Sequence, residues 1–204
     1  MTLQNRVQPD GQIKAIPSRG RFTGNRGILH VTDGEMGPAL WKHRAWICCT
    51  LDWQGRRRTV MSGRNWTELF FLDEAVAMAA GHRPCAYCRR ANYNAFSQAW
   101  GEKLKAADMD AALHAARAVP GARRLQTHRA AAETLPPGAF IRTDGGTLLL
   151  TPDAALPYTP YRYGPPQPRP TGQTVVFTSK PMLSVLRGGY VPALHPSAET
   201  PLFP

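Results

Sequence analysis

Apolar and polar positions alternate with period two through RAWICCTLDWQGRRRTVMS (residues 44–62), on both sides of Gly55. That pattern predicts a β-hairpin about the glycine. On its first strand Ile47, Cys49, Leu51 and Trp53 share one face and Trp46, Cys48, Thr50 and Asp52 the other. TELFFL (67–72) then reads as a short strand leading into a helix that ends near Ala80, with Asp73 at its N-terminus and Gly81 in the left-handed position after it. Arg83-Pro84 restarts the chain. The proline and the string CAYCRRANYNAFSQAW predict a second helix to about Trp100, with Cys85 and Cys88 on its first turn.

Further along, DMDAALHAARAV reads as a helix and AFIRTDGGTLLLTP as a hairpin about Asp144-Gly145. PYTPYRYGPPQPRPTGQ is rich in proline and reads as a long surface loop, followed by a strand in TVVFTS and a short glycine-closed helix in KPMLSVLRGG. The first forty residues offer glycines, charges and only short apolar runs, the signature of a loop-rich entry. The fold class expected is α+β: two β-hairpins and short strands with several helices, tied at one corner by a structural zinc site. Residues 1–135 would hold the zinc and a Gly/Arg-rich loop, and residues 136–204 would pack on them as one unit.

Charge narrows the choice of partner. The 204 residues include 25 Lys and Arg against 14 Asp and Glu, a formal charge of +11. Arginine predominates, and its planar fork binds phosphate bidentately and stacks on bases. Nucleic acid is the partner this composition favours, DNA first and RNA next. Neither a long apolar run nor a signal-peptide pattern stands at the start, so the chain reads as cytoplasmic. Membrane partners and nucleotide cofactors are not expected.

The four cysteines are Cys48, Cys49, Cys85 and Cys88. A thioredoxin-type C-x-x-C follows a strand in a compact βαβ setting, whereas this pair follows a helix and has two more cysteines upstream. Four thiolates suit a tetrahedral Zn2+ site. Adjacent strand residues point to opposite faces, so one of Cys48 and Cys49 could pack instead, with His43 or His82 in the fourth position. The thiol-disulfide enzyme remains an alternative.

The string FFLDEAVAMAAGHRPCAYCRR resembles the zinc domain of Ada-type alkylation-repair proteins, in which an Ala-rich helix ends in glycine and is followed by an aromatic residue, Arg-Pro and Cys-x-x-Cys. The likeness covers about a tenth of the chain. It implies that Cys85 and Cys88 are zinc ligands in a small DNA-contacting module. The family completes its site with two spaced cysteines upstream, where this chain departs in having the adjacent Cys48 and Cys49, which are the expected remaining ligands. The methyl-accepting motif of that family is absent, so that chemistry does not carry over. GNRGILH and GYVPALHPSA are similar to stretches of uncharacterised bacterial proteins, a likeness that supplies no activity.

RGRFTGNRG places Arg19, Arg21 and Arg26 among glycines, a composition suited to phosphate backbone but lacking the G-K-[ST] ending of a nucleotide loop. Arg56, Arg57 and Arg58 follow the expected hairpin turn, and Arg83, Arg89 and Arg90 surround the cysteine pair. Trp53, Trp66 and Tyr87 add stacking surfaces. No H-E-x-x-H, G-x-S-x-G or two-metal carboxylate cluster occurs. Base excision demands less, a base pocket and one positioned acid or amide, for which Asn25, His30 and Glu68 are candidates, with Asp73 and His195 less so. The function expected is a zinc-containing protein that acts on DNA, at best an enzyme excising or processing damaged or modified bases. The alternative is a zinc-dependent DNA-binding protein without catalysis.

Overall fold

Five short strands arise from the segment that reads as a loop-rich entry. In the computed structural model, which describes residues 2–55, 59–122 and 124–199, they are β1 (Gln4–Val7), β2 (Ile13–Ala15), β3 (Phe22–Asn25), β4 (His30–Thr32) and β5 (Glu35–Met36). Strands of two to four residues give too few alternations to register as a period, and their pairing is set by distant partners. β6 (Ile47–Thr50), β7 (Leu69–Phe71) and β8 (Arg83–Pro84) join them. The result is a six-stranded sheet in the order β2-β1-β7-β3-β6-β8, with β4 and β5 paired separately.

The expected hairpin about Gly55 is corrected. Gly55 does adopt a left-handed turn (φ 67°), but no strand follows among the described residues of 51–66. β6 instead takes β3 as antiparallel neighbour and β8 as parallel neighbour. The second sheet holds β9 (His128–Ala131), β10 (Phe140–Thr143), β11 (Gly146–Leu150), β12 (Ala155–Pro157) and β13 (Gln173–Val176), in the order β12-β11-β10-β13-β9. The hairpin about Asp144-Gly145 is β10–β11. β9 comes from upstream of the boundary expected at 135, so both parts of the chain build this sheet.

The helices are α1 (Glu74–Ala79), α2 (Arg90–Ala99), α3 (Ala106–Arg117) and α4 (Lys180–Arg187). Asp73 caps α1 by accepting the Val76 N–H. At its other end the Gly81 N–H reaches the Met78 carbonyl and the His82 N–H the Ala77 carbonyl, with Gly81 at φ 87°. This paired closure needs a left-handed residue, which is why glycine stands there. Every residue of α1 is buried. On one side lie Val7, Leu69, Phe71 and Cys48 of the first sheet with Phe140 and Leu149 of the second. Met78 belongs to the other cluster, where Ile141, Leu148 and Val176 meet Phe96, Met109, Leu113 and Leu183 of the remaining helices.

The tail after α4 locks onto the start of α1. Tyr190 Oη donates to Glu74 Oε1 (2.6 Å), the Ala193 N–H to Glu74 Oε2 (2.9 Å) and the His195 N–H to Asp73 Oδ2 (3.0 Å). Asp73 and His195 are therefore engaged in holding helix and tail. Among the described residues no helix is long and apolar enough to cross a membrane.

Candidate metal centre and the basic face beside it

Cys49, Cys85 and Cys88 come together. Their sulfurs all lie within 4.8 Å of one another, and tetrahedral coordination at a Zn–S length of about 2.3 Å requires sulfurs about 3.8 Å apart. Three thiols so placed could hold a metal ion. Strand pairing brings them there: Ile47 and Cys48 of β6 lie beside Arg83 and Pro84 of β8, and the Cys85 N–H donates to the Cys48 carbonyl (2.9 Å). Arg83-Pro84 thus forms a strand, not the first turn of a helix, and the helix waits until Arg90. Between them Cys85–Cys88 makes a turn in which the Tyr87 N–H points at Cys85 Sγ (3.4 Å) and the Arg89 N–H at the Cys85 carbonyl (3.1 Å). Hydrogen bonds from the Cys49 and Cys88 thiols hold Cys85 well below the usual thiol range, while those same contacts push Cys49 up.

Cys48 is corrected as a ligand. It points to the opposite face of β6, is buried in the core, and its sulfur accepts a long contact from Arg89 Nη1 (3.5 Å). Burial, and then the nearby Glu74 carboxylate, keep its thiol protonated. Neither histidine considered for the fourth position is in the cluster. His82 is buried between Trp46 and Phe71, with Nε2 accepting from Arg26 Nε (3.3 Å), and His43 Nε2 lies 3.1 Å from Asn25 Oδ1.

Three arginines expected on the surface are interior. Arg26 is fully buried over the Trp46 ring (4.3 Å), donates to the carbonyls of Gly11 and Ala80, and burial brings its pKa down to about 9. Arg83 makes a two-pronged pair with Asp110 (2.8 Å each) and Arg89 a buried pair with Glu74 (2.7 Å). They are structural cations, and a polyanion on the surface does not reach them. Arg19, Arg21 and Arg90 are exposed. Arg56, Arg57 and Arg58 lie outside the described residues.

What the sequence did not single out is a row across the first sheet. Register pairs Lys14 with Arg6, Arg6 with Phe70, Phe70 with Thr23 and Thr23 with Cys49. Residues paired across neighbouring strands stand on one face, so the row runs over five strands from a lysine to the first metal-site cysteine. The Arg6 guanidinium lies 4.8 Å from the Phe70 ring centre and donates to the Ser18 carbonyl and Asn5 Oδ1. Beside them opens a cleft of about 340 Å3 lined by Arg6, Pro17, Ser18, Arg19, Gly20, Leu51 and Phe70. Strand registration could have revealed it; charge runs could not, because Arg6 and Lys14 stand alone in the sequence.

The candidate catalytic residues are each tied to the fold. Asn25 Oδ1 accepts from His43 and, at 3.4 Å, from the Gly27 N–H. His30 Nε2 faces the Gly63 carbonyl (3.0 Å), which assigns its proton to Nε2 and leaves Nδ1 to accept from the Thr67 hydroxyl (2.7 Å). Glu68 Oε2 accepts the N–H of Met61 (2.7 Å), a residue held at φ 53°. All three are buried, and none lines the cleft beside Arg6. Compared with protein-family models, curated proteins and solved structures, the chain matches none.

Proposed function

We propose that this is a zinc-stabilised nucleic-acid-binding protein, DNA being the favoured ligand, in which the cysteine site fixes β6, β8 and the start of α2 while the outer face of the first sheet meets the polyanion. The observation that carries the reading is the row from Lys14 through Arg6 and Phe70 to Cys49, because it puts cationic and aromatic groups on the face where the metal site stands. Exposed Arg19 lines the cleft on that face, and exposed Arg21 follows two residues on. Cys49, Cys85 and Cys88 fit zinc by donor type: two soft sulfurs on a small turn and a third on β6, with the Tyr87 N–H supporting charge on Cys85. The resemblance of the segment around Cys85 to Ada-type zinc modules agrees with this reading. Binding is favoured over base excision because the side chains that excision would need are holding loops and strands together. A thiol-disulfide role is disfavoured because a third sulfur shares the pair's site.

Two measurements on the purified protein test it: metal content by mass spectrometry and oligonucleotide affinity across a salt series. The reading expects about one zinc per chain and an affinity that falls linearly with salt on logarithmic axes. Arg19→Ala with Arg21→Ala should reduce that slope without lowering the melting temperature. Metal-free protein that ignores oligonucleotides in dilute buffer overturns it.

A further inference from the structure

We infer that the ligand of this face is single-stranded nucleic acid, with one unpaired base seated in the cleft that Arg6 and Phe70 line. The inference rests on the nucleic-acid reading above and narrows it. A cleft of about 340 Å3 is at the small end of the ~300–1,000 Å3 typical of small-molecule sites, a size for one base and its sugar. Its walls have the right chemistry. Phe70 and Leu51 are apolar, Arg6 is already stacked on the Phe70 ring and offers a planar cation to a base, and exposed Arg19 stands at the edge where a phosphate would run.

A second stacking surface lies at the metal end of the row. Tyr87, in the turn between Cys85 and Cys88, is 59% exposed and meets the Trp53 ring edge-on at 5.4 Å. Its backbone serves the cysteine site and its ring does not, so the ring is available to a ligand. From Lys14 to Cys49 the row crosses four strand spacings, roughly 19 Å. That is the scale of a few nucleotides, near the lower limit of the about 4–16 covered by one small stacking fold.

Reading the base edges of a duplex needs an element that enters a groove. The two helices nearest the metal site do not supply one: α1 is buried throughout, and beyond Arg90 the exposed residues of α2 are Ala91, Asn94, Ala95 and Gln98, none of them cationic. A half-exposed row with a base-sized cleft suits a strand whose bases are unpaired.

The test compares a labelled single-stranded 12-mer with its duplex by fluorescence anisotropy at low and moderate salt, for the wild type, Phe70→Leu and Tyr87→Ala. The expected result is single-strand binding at least tenfold tighter than duplex binding, with each variant losing about five- to a hundredfold in single-strand affinity, the worth of a stacked base, and little in duplex affinity. Because Tyr87 is exposed, its variant reports on stacking even if Phe70→Leu disturbs the sheet. Duplex binding as tight as single-strand binding, or variants that weaken both alike or neither, overturns the inference while leaving nucleic-acid binding intact. Absence of binding to either form overturns the parent reading, and this one with it.

Discussion

Arg19 and Arg89 carry the same guanidinium and do opposite jobs. Arg89 is buried against Glu74 and lies over the Phe22 ring (4.5 Å), so removing it strands a carboxylate in the core. Arg89→Met is expected to lower unfolding free energy by about 3–5 kcal/mol in a denaturant titration, whereas exposed Arg19→Ala should change it by less than about 0.5 kcal/mol and act on oligonucleotide affinity alone. The string CRR reads alike for both of its arginines, because sequence records charge and not depth. Arg83, Arg89 and Arg26 were therefore legible as cations and illegible as structure; their partners Asp110, Glu74 and the Ala80 carbonyl are supplied by the fold. Cys48 and Cys49 were more legible, since strand alternation alone says one must face inward, and only the pairing with β3 and β8 decides which.

A pH effect belongs to Asp73. Burial raises its pKa to about 6, outweighing the hydrogen bonds from Tyr163 Oη (2.7 Å), the Val76 N–H and the His195 N–H. In the unfolded chain the value is about 3.9. The native state thus binds the proton more tightly, and its contribution to stability is present below about pH 4 and lost as pH rises through about 6, on the order of 3 kcal/mol in all. Asp73→Asn should flatten this part of the stability-against-pH curve. It should do so from a lower starting stability, because the amide NH2 replaces one oxygen that accepts N–H and O–H donors. Guanidinium titrations at pH 4, 5, 6 and 7 check the slope: equal slopes in both proteins would assign the proton elsewhere.

At the scale of elements, the parts marked by local chemistry were readable, α1 and α4, the β10–β11 hairpin, β7 and β13, and the short strands of the first forty residues were not. α1 was marked at both ends by Asp73 and Gly81, and α4 by glycines at its close, which are local chemical requirements. β3 announces nothing locally, yet it is the strand that places Cys49. Its Gly24 lies between β7 and β6, where an added Cβ would come within 2.1 Å of the Ile47 carbonyl oxygen and 3.0 Å of Phe71. The constraint is close approach of backbone to backbone and not an unusual dihedral. Gly24→Ala is expected to cost about 1–3 kcal/mol and, by pushing β6 away, to weaken metal binding. Ala at Gly55, with open space around it, should leave the metal affinity untouched, although its φ of 67° exacts a smaller strain. Competition with a chromophoric chelator separates the two variants.

For the molecule as a whole, burial leaves most of the +11 charge on the outside. Among the described residues Arg83 and Arg89 go inside together with Asp110 and Glu74, and buried Arg26 and Arg117, both beside Trp46, are balanced in number by buried Glu68 and Asp73. The second sheet, covered on both sides by apolar side chains, needs no metal to hold it. The first sheet ends at β8, a strand of two residues whose pairing with β6 adjoins the cysteine cluster. Two residues of strand are too little to persist by themselves, so the thiolate site is the natural fastening for that edge. Chelation should therefore act unevenly. Hydrogen exchange on metal-loaded and metal-stripped protein is expected to show protection lost at β6, β8 and the start of α2, with β10, β11 and β13 unchanged. Cys49→Ser should reproduce the stripped pattern, while Cys48→Ala, a small loss in the core, should keep the metal and its local protection. If stripping unfolds both sheets together, the metal anchors the entire fold instead of its edge. If Cys48→Ala loses the metal as readily as Cys49→Ser does, the assignment of ligands by strand face is wrong.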